Sequence, residues 1–234
     1  MANPALAAPV ITAAGHQASQ ALLVGELANP LNAAWGVFDP TDPNTLQRFI
    51  LAIQALVQHF GKMSGSAAAS FYEHERRNAG VPGHYNVQIA PVSPDKVEAG
   101  IRWATSDLWS PEPDLATIQS KVQGVVEKDV LDVGRSTILD AVHKDRKALG
   151  WARVPEPTAC SFCALLATRG AVYRSDKTAS FEAHDHCRCH AEPIFTAYEP
   201  SAQIREWQSI YSESTKGIHG AKAMRAAFRK ALSS

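Results

Sequence analysis

The first 47 residues contain no lysine or arginine; the earliest cation is Arg48. A secretory signal peptide needs a basic stretch ahead of its apolar run, so this start argues against one. No apolar run approaches the roughly 20 residues that a membrane-spanning helix requires. The chain also lacks net charge, with 23 Lys+Arg against 23 Asp+Glu in 234 residues. As a whole it is therefore not a polyelectrolyte binder of DNA or membrane. No Gly-x-Ser-x-Gly nucleophile elbow and no His-Glu-x-x-His zinc-protease signature occurs; His74-Glu75 begins the latter, but Asn78 stands where the second His belongs. There is no internal repeat. These absences leave a soluble protein of a reducing cytoplasm, in which paired cysteines more often hold metal than form disulfides.

What is present is mostly helical periodicity. Residues 1–12 are Ala- and Pro-rich and read as a flexible arm. Leu22, Leu23, Leu27 and Leu31 space a helix over 13–36, with Pro30 as a break or kink. After the turn cluster Phe38 to Pro43, the residues Leu46, Phe49, Ile50, Ile53, Val57 and Phe60 follow a 3.6-residue period, capped by Thr41 or Asp42. Beyond Gly61 the pattern resumes and runs into Glu73, Glu75, Arg76 and Arg77, read as exposed charge pairs. Residues 79–93 form a Gly/Pro-rich excursion in which Gln88 to Ala90 could be a short strand. A short helix over 94–105 and a long one from Asp114 to about Leu149 follow. Gly124 and Gly134 weaken the latter or permit close packing, Gly150 is its C-cap, and His143 to Arg146 is its solvated end.

The segment 151–198 differs in kind. All four cysteines of the chain lie in it, as Cys160-Ser-Phe-Cys163 and, after twenty residues, His184-Asp-His-Cys187-Arg-Cys189-His190. Thiolates are soft donors, and zinc takes four ligands in a tetrahedron. Four thiolates would close such a site; alternatively His184 or His186 replaces one sulfur. The other readings are four buried free thiols, or a disulfide formed outside the cytoplasm. A closed site is structural, and short apolar runs such as Ala171 to Tyr173 and Pro193 to Phe195 give this segment little else to fold around. The fold class is thus mainly α with a small C-terminal α+β zinc-stapled module. The divisions are an arm (1–12), a helical domain (13–150), the stapled module (151–198) and a basic helical tail (199–234).

Three stretches carry a family resemblance: Trp151-Ala-Arg-Val154, the run from Cys160 to Tyr173, and His184-Asp-His-Cys-Arg-Cys-His-Ala-Glu-Pro193. Together they resemble the Mu F-like minor head proteins of tailed bacteriophages, in the branch of phages infecting actinobacteria. That family pairs Cys-x2-Cys with a downstream His-Pro-x-Cys-Arg-Cys. His184, Cys187, Arg188 and Cys189 match the second half, whereas Asp185 replaces the usual Pro. The resemblance implies a head morphogenesis protein made in the host cytoplasm. Such a protein is incorporated in the virion during procapsid assembly, with the portal protein and major capsid or scaffold protein as partners. Members of this branch are often labelled capsid maturation proteases.

The enzyme readings find thinner support in the residues. Ser161 with His184 and Asp185, or Ser180 with His186, supplies the side-chain types of a serine protease without a marked nucleophile. Asp185-His186 beside Cys-x2-Cys resembles a metal-dependent nuclease, but its second His or Asn cluster is missing. No catalytic residue is assigned. The metal ligands are Cys160, Cys163, Cys187 and Cys189, with His184 as the substitute. Arg169 and Arg188 either hold loop carbonyls or face an anionic partner. In the tail, Arg205, Lys216, Lys222, Arg225, Arg229 and Lys230 against Glu206 and Glu213 suggest a phosphate-facing helix against packaged DNA; an acidic portal surface as its partner and a merely solvated helix are the other readings.

Overall fold

A computed structural model describes residues 12–156, 159–171 and 181–233. The expected arm up to residue 11, the candidate Ser180 and the apolar pair Val172-Tyr173 lie outside them. The described chain is mainly α: α1 (Ala13–Gly36), α2 (Pro43–Asn78), α3 (Pro94–Ala104), α4 (Leu115–Lys144), α5 (Ser161–Ala167), α6 (Ala202–Thr215) and α7 (Ala221–Leu232). A 3-10 turn spans Ser106–Trp109, and two strands, β1 (Gly150–Val154) and β2 (His190–Ile194), pair antiparallel with Trp151 opposite Pro193. No described helix is long and apolar enough to cross a membrane.

Short oxygen-bearing side chains start most of the helices. Thr12 accepts the amide of Gly15 for α1, Asp42 that of Asn44 for α2, and Asp114 those of Ala116 and Thr117 for α4. Pro30 does not break α1. An interior proline costs a helix about 3 kcal/mol, but Leu27 and Leu31 on either side are buried in the core and hold the backbone. Helix α2 likewise passes Gly61 without interruption.

Helices α1 to α4 share one core, built on Leu27, Ile50, Ile53, Ile101, Val126 and Val130. The α2–α4 crossing is its tightest contact. A Cβ built on Gly134 of α4 would lie 2.6 Å from Ser64 Oγ, and one on Gly61 of α2 would lie 2.9 Å from Val133. Ser64 in turn donates to Gln20 of α1, which donates back to the Ser64 carbonyl. The segment from Gln88 to Ala90 lies over this crossing as extended chain, without pairing as a strand. The Ala90 amide donates to Thr137 Oγ1 instead.

Two expectations about charge are corrected. Arg76 and Asp145 are neither exposed nor solvated: both are buried, at 2.9 Å, and Tyr72 also donates to Asp145. Asp145 ends α4, so Gly150 is not its cap; with Leu149 bonded to Ile194, Gly150 opens β1. The two-stranded ribbon, marginal alone, packs on α4 and α2.

His16 of α1 is buried flat against Phe71 at 4.6 Å, with His190 of β2 edge-on at 5.2 Å. Burial pushes the His16 imidazole down from 6.5 to about 4. The unfolded chain thus takes up this proton at a higher pH than the folded one. Stability is full above pH 6.5 and falls as the pH drops toward 4, by up to about 3 kcal/mol from this group. Urea unfolding across that window should show the slope, and His16→Phe, which keeps a flat ring on Phe71, should reduce it. An unchanged slope would assign the acid sensitivity elsewhere.

The glycines give a second expectation. Gly134→Ala should destabilise by about 1–3 kcal/mol because Ser64 blocks the new methyl. Gly25→Ala, which meets nothing within 4 Å, should stabilise by up to about 1 kcal/mol. Thermal melts of the two variants should move in opposite directions.

Candidate metal centre

The two cysteine pairs converge. Cys160 precedes α5 and Cys163 lies in its first turn, so one helical start presents both sulfurs. Cys187 and Cys189 come from the loop entering β2, where Cys187 donates its amide to the His184 carbonyl. Cys163 Sγ lies 3.6 Å from Cys187 Sγ and 3.6 Å from His184 Nε2, and Cys160 Sγ lies 2.9 Å from the same His184 nitrogen. The donors form two triads, Cys160–Cys163–His184 and Cys163–Cys187–Cys189, each within 4.8 Å, that share Cys163. All five residues expected from the sequence are therefore brought together, and all four thiols are free. The cluster can hold a metal ion.

Its chemistry fits one. Nδ1 of His184 lies 2.7 Å from the Asp185 carbonyl, which places the proton there and leaves the Nε2 lone pair facing the sulfurs. Burial alone would raise the Cys160 thiol, but the Cys163 amide and His184 bring it below its ordinary value. Among the three buried sulfurs, hydrogen bonding to Cys187 and Cys189 pushes Cys163 far up, while the same bond from Cys163 pulls Cys187 far down. Three thiols this close share protons that a cation can replace.

The second shell comes from outside the motif, and sequence reasoning missed it. Arg135 of α4, buried, donates to the carbonyls of both Cys187 and Cys189 and pairs with Asp132. Arg153 of β1, also buried, lies 3.8 Å from Cys163 Sγ and donates to the Glu182 carbonyl. Both guanidiniums stack on Phe181, at 4.9 and 3.8 Å from its centroid. The role of holding loop carbonyls, considered for Arg169 and Arg188, thus belongs to Arg135 and Arg153.

The loop from His184 to Arg188 lies directly on α4. His186 takes a left-handed backbone, φ 59°, and its Nδ1 lies 3.3 Å from the buried Glu127 carboxylate. Arg188 reaches the same carboxylate at 4.0 Å, and Asp185 faces Lys128 at 3.9 Å. A Cβ on Gly124 would meet His186 Nε2 at 2.8 Å and Asp185 Cβ at 2.9 Å. Gly124 therefore admits the loop, not a neighbouring helix. The available signals were a glycine and charged residues on an otherwise apolar helix, which point to a close contact without naming it.

These engagements bear on the enzyme readings. Both nitrogens of His184 are taken up by a carbonyl and by sulfurs, and Asp185 faces Lys128. No hydrogen-bonded relay joins Ser161, His184 and Asp185. His186 faces Glu127 rather than a second histidine cluster.

Arg135→Met should lower metal affinity by about 10- to 100-fold, the usual cost of losing an outer-shell partner. Gly124→Val should do the same by lifting the loop from α4. Cobalt(II) titration, read by its thiolate charge-transfer absorption against a competing chelator, measures both. Affinities equal to wild type would mean that α4 does not support the cluster.

The comparisons with known proteins are consistent with this architecture. No curated protein and no solved structure matches the chain. The model of the VG15 protein family matches residues 11–214, a span that includes α1 to α5, both strands, all four cysteines and most of α6. The chain accordingly belongs to the VG15 protein family and is a bacteriophage protein.

Proposed function

We propose that this protein is a minor head protein that acts in procapsid assembly through protein contacts, with one structural zinc ion as its staple. The partners are the portal protein and the major capsid or scaffold protein, and the place of action is the portal or the inner head surface. Phage family membership supports the general role. The finer reading rests on the Mu F-like pattern of Cys160, Cys163, His184, Cys187, Arg188 and Cys189.

The observation that carries the structural role of the metal is the number of protein donors gathered at its site. Cys163, Cys187 and Cys189 are buried, and the exposed Cys160 and His184 complete the set on the solvent side. Tetrahedral zinc with Zn–S bonds of about 2.3 Å sets neighbouring sulfurs roughly 3.8 Å apart, close to the 3.6 Å between Cys163 and Cys187. Zinc with four thiolates carries an excess of two negative charges. The buried guanidinium of Arg153, 3.8 Å from Cys163 Sγ, offsets part of that charge, and His184 in place of Cys160 would lower it by one. With four protein donors no position stays open for water or substrate, so the ion folds the segment and catalyses nothing.

The protein purified without chelator should contain one zinc per chain, with its thiols protected until chelator is added. Cys163→Ser should lose the zinc and the protection of residues 151–198 from proteolysis, while the far-UV helical signal of α1 to α4 persists. Co-expressed with the portal and capsid proteins of its phage, the chain should co-purify with procapsids and leave capsid and scaffold proteins uncut. Cleavage abolished by a single nucleophile substitution would replace this reading with a maturation protease.

A further inference from the structure

Charge is distributed unevenly over the fold. In the helical body several cations, buried and exposed alike, are paired with carboxylates: Arg76 with Asp145, Lys96 with Asp129 and Asp132, Arg102 with Glu98, Lys121 with Asp107. The C-terminal hairpin is different. No Asp or Glu follows Glu213, whereas Lys216, Lys222, Arg225, Arg229 and Lys230 do. Arg169, Lys222, Arg225 and Arg229 form no ion pair with any described residue, and Lys222, Arg225 and Arg229 are exposed.

The fold turns these residues into a line. Helix α7 buries Phe228 against α5 and α6, with Ala164, Leu165 and Trp207. Residues 222, 225 and 229 follow at intervals of three and four, so they fall on one side of α7 beside the buried face. The seven residue steps from 222 to 229 make this ridge about 10 Å long. Arg169, just beyond α5, joins it: Arg169 and Arg225 line one cavity of about 480 Å³ with Leu165, Gln208, Tyr211 and Met224. Among the described residues, no acidic side chain lines that cavity. Arg205, by contrast, turns back to the Pro200 carbonyl and stands beside Glu206, so the six tail cations do not act as one surface.

From this we infer that α7 and the end of α5 form a nucleic-acid phosphate-binding ridge, with Arg169, Lys222, Arg225 and Arg229 as its contacts. Duplex DNA carries one charge per about 1.7 Å of axis. A straight cationic ridge therefore meets several phosphates in any register, while an acidic peptide would need its carboxylates spaced to match. Guanidiniums suit phosphate because their N–H donors grip two oxygens at once. Binding of this kind is independent of sequence. Helix α7 also lies past residue 214, where the family match ends, so the inference does not derive from family membership or from the zinc reading.

The test is fluorescence anisotropy of a labelled 20-base-pair duplex with the full, metal-loaded chain over a salt series. Four phosphate contacts predict a slope of log K against log salt of about −3.6. Lys222→Gln/Arg225→Gln/Arg229→Gln should flatten that slope by about 3 units and weaken binding at least tenfold at low salt. The control Arg48→Gln/Lys62→Gln/Arg77→Gln removes equal charge from exposed sites on α2 and should change neither, with circular dichroism and zinc content confirming both folds. No binding by the wild-type chain, equal loss in both triple variants, or displacement of DNA by polyglutamate at matched charge would each overturn the proposal. The first two would exclude the ridge and the third would assign it to an acidic protein. None of these outcomes touches the procapsid reading, which co-purification tests separately.

Discussion

The hold of Arg135 on the carbonyls of Cys187 and Cys189 is the interaction on which the rest of the C-terminal half depends. A guanidinium buried in a helix needs acceptors, because an unpaired charge in the interior is costly. Here the acceptors are two loop carbonyls and Asp132. The same bonds satisfy the helix and fix the loop. Through that loop, α4 orients two of the four sulfurs, and Arg153 and Phe181 complete the enclosure from the side of β1. The donor cluster is thus built onto the helical body and not suspended from it.

Close backbone approach makes that attachment possible twice on α4. Gly134 lets α2 come near at Ser64, and Gly124 lets the cysteine loop come near at Asp185 and His186. Each glycine gives up about 1 kcal/mol of helix propensity, which the contacts it admits offset. The C-terminal hairpin joins the body differently, mainly through α5. Its own small core of Ile204, Trp207 and Phe228 packs on the face of α5 that carries Leu165. The first turn of α5 carries Cys163, so one short helix connects the donor cluster to the basic hairpin.

The cluster has more donors than a four-coordinate ion needs, the buried charges are compensated, and the histidine and aspartate of the motif are spent on internal contacts. What remains outward is a hairpin with surplus positive charge and a family-matched body beneath it.

The sequence by itself determined the helices and the cysteine and histidine donors that the fold gathers. Periodicity over Leu46 to Phe60 and over Leu115 to Val142 fixes amphipathic faces because side chains three and four apart share a side. Cys-x2-Cys is equally local, since one turn brings both sulfurs together. Continuity through Pro30 and Gly61, the burial of Arg76 with Asp145, and the shell of Arg135, Arg153 and Glu127 were decided only by tertiary structure. The physical reason is the same in each case. A residue whose local preference is weak or unfavourable is settled by partners distant in sequence: Asp145 lies 69 residues from Arg76, and Cys189 lies 54 from Arg135. No pattern within a window of the chain records such a pairing, and it exists only once α2, α4 and the cysteine loop have been packed together.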